Sequence, residues 1–374
     1  MRKVHLVTAV AIALAAGAAY GQEVEVRIGH VAPLSGGQAH YGKDNERGAI
    51  MAIEDLNAKN ISIGGKKVKW VLLSEDDGAD PKQGTTVAQK LVDAKVNGVV
   101  GHLNSGTTIP ASKIYFDAGI PQITPSATNP KYTQQGFKTA FRILANDNAL
   151  GAATAEYATK QIKAKKVAVI DDRTAYGQGV ADIFEKVAKQ NGATVVSRQF
   201  TNDKATDFNA ILTAIRDQKP EVIFYGGMDA QAGPMLRQMK QLGINANFMG
   251  GDGICTVELA KLAGDAANDK VFCAEGGSSL DKMPKGKEFK QRFEAKFHDQ
   301  IQVYAPYVYD AVMALATAMQ KANSVEPAKY LPELAKLQMD GVTTRVSFDA
   351  TGELNNAATT LYNYAGGKKT PVAD

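Results

Sequence analysis

Beyond residue 16 this sequence has no apolar run approaching the roughly 20 residues that a membrane-spanning helix needs. The body of the chain is therefore expected to be soluble. Charge of one sign is also missing: the formal net charge is +4, and Arg2 and Lys3 supply two of those charges. With no basic cluster interleaved with aromatics, nucleic acid is excluded as an electrostatic partner. Tryptophan occurs once, as Trp70, inside an expected strand and away from strand-end loops. That argues against a sugar site built on stacked aromatic rings.

Catalytic signatures are absent as well. No G-x-G-x-x-G follows a strand, since Gly36, Gly37 and Gly42 have the wrong spacing for a dinucleotide site. No glycine-rich loop ends in Gly-Lys-Ser/Thr, and no G-x-S-x-G occurs to carry a hydrolase nucleophile. Beyond the N-terminal segment the histidines are His30, His40, His102 and His298. The first three fall near strand ends, where a metal or catalytic cluster is the minor reading beside ordinary packing. Glu75, Asp76, Asp77 and Asp80 lack the order of a calcium loop and read as a solvated turn. No cofactor, no metal and no enzymatic activity are expected.

The N-terminus has the layout of a cleavable export signal. Arg2 and Lys3 precede an apolar run from Val4 to Ala16, and Ala19-Tyr20-Gly21 suits cleavage before Gln22. The alternative is an uncleaved anchor. Export places the two cysteines, Cys255 and Cys273, in an oxidising compartment, where a disulfide is favoured over a metal site. The competing reading is a pair of buried free thiols.

After the leader, strands alternate with amphipathic helices. Val24–Val31, Val68–Ser74, Gly98–Leu103 and Pro121–Thr124 read as strands, separated by helices at Asn45–Ala58, Gly84–Ala94 and Pro110–Ala118. The pattern restarts near Gly151 and runs through strands at Lys166, Thr194, Val222, Phe248 and Val271. Such alternation implies parallel sheets with helices on both faces, and about 350 residues suggest two domains. The last third differs, with helices at Lys285–Phe297, Tyr307–Ala322 and Ala328–Leu337, then strands at Val342–Phe348 and Thr359–Tyr364.

Ligands of open parallel sheets bind beyond the carboxyl ends of the strands. The loops there are rich in hydroxyls: Leu103-Asn104-Ser105-Gly106-Thr107-Thr108 and Thr124-Pro125-Ser126-Ala127-Thr128-Asn129. The first leads into a helix, whose free N–H groups suit a carboxylate. Plain helix capping by Ser105 or Thr107 is the alternative.

Several segments together resemble one family. Gly101-His102-Leu103, Ile123-Thr124-Pro125-Ser126-Ala127-Thr128, Asp80-Pro81-Lys82-Gln83, Tyr176-Gly177-Gln178-Gly179, Tyr225-Gly226-Gly227 and Phe248-Met249-Gly250 occur in the order and spacing of the periplasmic branched-chain amino-acid binding proteins of ABC transporters. The resemblance implies an α/β type I periplasmic binding protein fold, with two Rossmann-like lobes, parallel sheets and a three-crossover hinge. Lobe 1 would be 22–146 plus 277–356, and lobe 2 147–276 plus 357–374, with 1–21 as signal peptide. It also implies a monomer in the periplasm that delivers leucine, isoleucine or valine to an inner-membrane ABC permease. A different amino acid, an amide or γ-amino acid, and a sensor role stay open.

Site residues follow from the same resemblance. Ser105 and Thr128, with an amide near Thr107, would hold the ligand carboxylate. The Ser126 carbonyl and the Asp252 carboxylate would hold its ammonium. Read from pattern alone, Asp252 between glycines is as easily a turn residue. Tyr41, Leu103, Asn104, Tyr176, Met228 and Tyr304 would enclose the side chain. The family's acid is commonly Glu, Met228 stands where Tyr is frequent, and Asn104 replaces something less polar. The family's disulfide positions, near Ala79 and Asn104, carry no cysteine here.

Overall fold

The computed structural model describes residues 23–372. The expected leader, 1–21, lies outside the described residues.

The first sheet contains β1 (Val24–Ala32), β2 (Ser62–Ile63), β3 (Lys66–Asp76), β4 (Gly98–Gly101), β5 (Gln122–Thr124) and β6 (Ala140–Arg142). Their order is β2-β3-β1-β4-β5-β6, and all neighbours are parallel except β2 with β3. The second sheet begins with β7 (Lys166–Asp171), β8 (Thr194–Phe200), β9 (Val222–Gly226), β10 (Asn247–Gly250) and β11 (Val271–Gly276). A short hairpin of β12 (Met339–Asp340) and β13 (Arg345–Val346) comes next, then β14 (Thr359–Asn363) and β15 (Thr370–Pro371). The second sheet runs β15-β14-β11-β10-β9-β7-β8, with β14 antiparallel to β11. Strands β4 and β9 are buried along their whole length because helices cover both faces.

The chain passes between the sheets three times: after β6, after β11, and before β14. On its second pass it lays helix Ala305–Lys321 on helix Ala39–Ala58. The two approach so closely at Gly48 that a Cβ there would sit 2.3 Å from the Ala305 carbonyl oxygen. Side chains of Leu315 and Tyr330 crowd Gly98 of β4 in the same way, so this helical block belongs to the first lobe.

Helix starts depart most from the periodicity reading. The helix expected from Asn45 begins at Ala39, and the one expected from Gly84 begins at Pro81. In the second case Asp80 accepts a bond from the Gln83 amide and Pro81 occupies the first helical position. First turns are polar or glycine-rich here, so apolar spacing registers them late. Strand β6 was not foreseen, being only three residues long. The strand expected over Val342–Phe348 shrinks to Arg345–Val346. Its first residues wrap the buried Asp310 carboxylate instead, which accepts from the amides of Val342 (2.7 Å) and Thr343 (2.8 Å).

Candidate functional site

All of the expected site loops leave the carboxyl ends of strands, and closure brings them together. One small cavity between the lobes is lined by Leu103, Asn104, Ser105, Ser126, Tyr176, Met228, Asp252, Gly253 and Tyr304. Eight of the eleven residues expected at the site line it. Three do not. Tyr41 lies behind the wall, where its hydroxyl donates to the Gly253 carbonyl at 2.7 Å. Thr128 is buried two residues beyond Ser126 in the same loop. Thr107 lies off the cavity: its amide and hydroxyl both bond the Asn104 carbonyl, at 3.1 Å each, closing the first helical turn. The free donors of that turn are the amides of Ser105 and Gly106, which precede the helical ladder.

The first lobe supplies hydroxyls. Ser105 opens helix Ser105–Asp117, and its Oγ accepts from the Asn129 amide at 3.1 Å, which leaves its own proton to give. The Ser126 Oγ and Thr128 Oγ1 are buried and have no hydrogen-bond partner in the protein. The loop that carries them is held from below. Thr124 donates to the His102 carbonyl at 3.0 Å and accepts from the Ala127 amide at 2.9 Å. Arg142 of β6, fully buried, donates to the carbonyls of Ala127 and Asn129 and pairs with Glu353 at 3.0 Å. Those two carbonyls flank Thr128.

The second lobe supplies the acid. Asp252 follows β10 and is 1% exposed, so a charge here has almost no water to lean on. Its Oδ2 accepts from the Tyr304 hydroxyl at 2.8 Å, whereas Oδ1 has no partner. Burial pushes its pKa up to about 6, and the hydroxyls of Tyr304 and Tyr176 limit the rise. Tyr176 is set by the start of helix Ala175–Gln190, where Thr174 caps the Gly177 amide at 2.9 Å; the Tyr176 hydroxyl accepts from the Gly253 amide at 2.8 Å. Tyr304 crosses from the first lobe because the buried Asp44 carboxylate gathers four amides, from Gln302 to Ala305. A carboxylate at that helix start offsets the positive end of its dipole.

Sequence reasoning missed Asp44, Arg142, Gly253 and Asp147. Asp147 opens helix Asp147–Glu156, and neither of its buried carboxylate oxygens has a partner. Burial lifts its pKa to about 8, partly opposed by the neighbouring Thr128 hydroxyl. An acid in a first helical turn reads in sequence as a dipole partner, so nothing local marks it.

The histidines are occupied separately. His30 meets Ser74 at 2.9 Å, His102 lies between Asp77 and Tyr115, and His40 bridges the lobes to Asp229 at 2.8 Å. Among the described residues no group of three His, Cys, Asp or Glu is placed to hold a metal ion. The acidic cluster is structural, with Asp76 accepting from the Leu34 and Gly78 amides and Glu75 paired to Lys90. Cys255 and Cys273 form a disulfide beside the Asp252 loop.

Residues 25–368 match a family model described as periplasmic binding protein. The chain belongs to that family. Its members are solute receptors and not enzymes. A leucine-, isoleucine-, valine-, threonine- and alanine-binding protein of Pseudomonas aeruginosa is 34% identical, over 95% of this chain and 94% of its own length. A Leu/Ile/Val-binding protein homolog of Brucella abortus is 36% identical, over 95% of each. Among solved structures, a leucine-binding protein from Thermotoga maritima superposes with a TM-score of 0.86 at 26% identity, covering 93% of this chain and 98% of that one. A Streptococcus pneumoniae branched-chain amino-acid binding protein, in complex with isoleucine, gives 0.85 at 28%, covering 93% and 99%. The binding protein described here therefore has the two-lobed type I periplasmic binding protein fold with mixed, mainly parallel sheets.

Proposed function

We propose that this binding protein captures an L-amino acid of branched-chain size between its lobes and delivers it to an inner-membrane ABC importer. One observation carries the reading. A buried carboxylate with one unpaired oxygen, Asp252, shares a small closed cavity with the unpaired hydroxyl of Ser126 and the donor hydroxyl of Ser105. An ammonium and a carboxylate on one carbon satisfy such a pair at once, the first by a charge-assisted bond to Asp252. Thr128 supports the carboxylate from behind Ser126. The names of the relatives, which bind leucine, isoleucine, valine, threonine or alanine, point to the same ligand class.

In this reading 22–146 plus 277–356 move as one lobe and 147–276 plus 357–374 as the other, and the protein works as a periplasmic monomer after loss of 1–21. Ligand contacts made only in the closed form drive closure. The test is calorimetry on mature protein stripped of ligand by unfolding and refolding, against L-amino acids, amides, γ-amino acids and sugars. One-to-one binding of an L-amino acid supports the reading. Binding of a sugar with silence from all amino acids overturns it.

A further inference from the structure

One unpaired polar atom of the cavity wall has no role in the amino-acid reading above. Among its nine lining residues, three side chains carry a buried polar atom with no hydrogen-bond partner in the protein: Asp252 Oδ1, Ser126 Oγ and Asn104 Oδ1. In the proposed reading, the ligand ammonium takes the first and its carboxylate the second. Among the tyrosine hydroxyls, Tyr41 donates to the Gly253 carbonyl and Tyr304 to Asp252, while Tyr176 accepts from the Gly253 amide and keeps its own proton to give toward Asp252 or a ligand. Asn104 Oδ1 is the acceptor that this assignment leaves unused.

Its position is specific. Asn104 is the N-cap of helix Ser105–Asp117, a place where asparagine ordinarily bonds the first-turn amides, yet its side chain makes no capping bond. It turns instead toward Gln38, donating from Nδ2 to Oε1 at 2.7 Å, and the other end of the amide stays buried at the cavity. Leu103 and Met228 share that wall, so the surroundings are apolar apart from the amide. A buried amide end without a partner is costly, and only a ligand group can relieve it when the cleft is shut.

We infer that Asn104 selects ligands whose side chain carries a hydroxyl or amide: the preferred substrates are polar amino acids of branched-chain size, such as threonine or asparagine, over their aliphatic isosteres. An amide reads a hydroxyl as acceptor or donor, so the conclusion holds for either orientation of the Asn104 group. This rests on the amino-acid reading above, and the experiment separates the two. Affinities are measured by calorimetry on stripped wild-type protein for two shape-matched pairs, threonine with valine and asparagine with leucine. The polar member of at least one pair is expected to bind about tenfold tighter or more. In Asn104→Leu that order reverses, with the fold checked by thermal melting. Valine and leucine binding as tightly as their polar partners in wild type overturns the inference while leaving the receptor reading intact. An order unchanged in a folded Asn104→Leu overturns the role of Asn104. Silence from every amino acid, with a sugar or other solute bound, overturns both. If the variant does not fold, the wild-type ratios decide alone.

Discussion

The Tyr304 hydroxyl, carried on the first lobe, donates a 2.8 Å hydrogen bond to Asp252 Oδ2 on the second. The bond occupies one carboxylate oxygen and leaves the other free for a ligand ammonium. Asp252→Ala is expected to weaken amino-acid binding more than tenfold, because it strands the ammonium in a dry site. Tyr304→Phe keeps the charge and loses one bond between the lobes, so a loss of about fivefold is expected. Calorimetry on both variants checks this, and unchanged affinity in Asp252→Ala removes that residue from the site.

The same carboxylate sets a pH dependence. Burial raises the Asp252 pKa to about 6, so at pH 7 to 8 it is ionised and ready for a cation. As pH falls through 6 it takes up a proton and the attraction to an ammonium is lost. Affinity should be flat above pH 7 and decline below 6, approaching about tenfold per pH unit well below the midpoint. Binding titrations from pH 5 to 8 read this directly, and Asp252→Asn should bind weakly and show no such midpoint.

Glu353 and Arg142 support the hydroxyl loop from a distance. Arg142 is fully buried and Glu353 is its carboxylate partner. Glu353→Ala leaves a buried cation unpaired, and a loss of about 3 kcal/mol in stability is expected. Because Arg142 also holds the carbonyls of Ala127 and Asn129, ligand affinity should fall with it. Urea unfolding gives the first quantity and calorimetry the second. A Glu353→Ala protein as stable as wild type would show that the pair does not hold this loop.

The Cys255–Cys273 disulfide closes a loop with a sequence separation of 18 residues. In the chain-entropy account, removing it by double substitution to serine costs about 3 kcal/mol. Unfolding midpoints with and without reductant should differ in wild type and coincide in the variant. Equal midpoints in wild type mean that the thiols are free or the loop contributes nothing.

Much of the fold was legible because its signals are local. Continuous apolar runs mark β4 and β9, whereas the helix starts at Pro81 and Ala175 lie ahead of the first apolar-periodic residues and register late in the sequence. The hydroxyl-rich loops of Ser105, Ser126 and Thr128 stand out because they follow strands of an α/β pattern, whereas Asp252 is picked out only by the family resemblance. Asp44, Arg142 and Asp147 carry no such mark. A buried acid or arginine looks in sequence like any surface charge, and only the surrounding chain decides whether water reaches it.

By itself, then, the order of residues determined the alternation of strand and helix, the division into two α/β halves, and the hydroxyl-rich loops at strand ends. Those follow from hydrophobic period and strand-end topology, which act over a few turns of chain. The closed geometry belongs to the tertiary structure alone. It took packing between lobes to set Tyr304 against Asp252 and Tyr41 against Gly253, to spend the Thr107 amide within its helix, and to leave one end of Asn104 unpaired in the cavity. Desolvation and contact between residues as far apart as 41 and 253 arise only when the chain has folded around them.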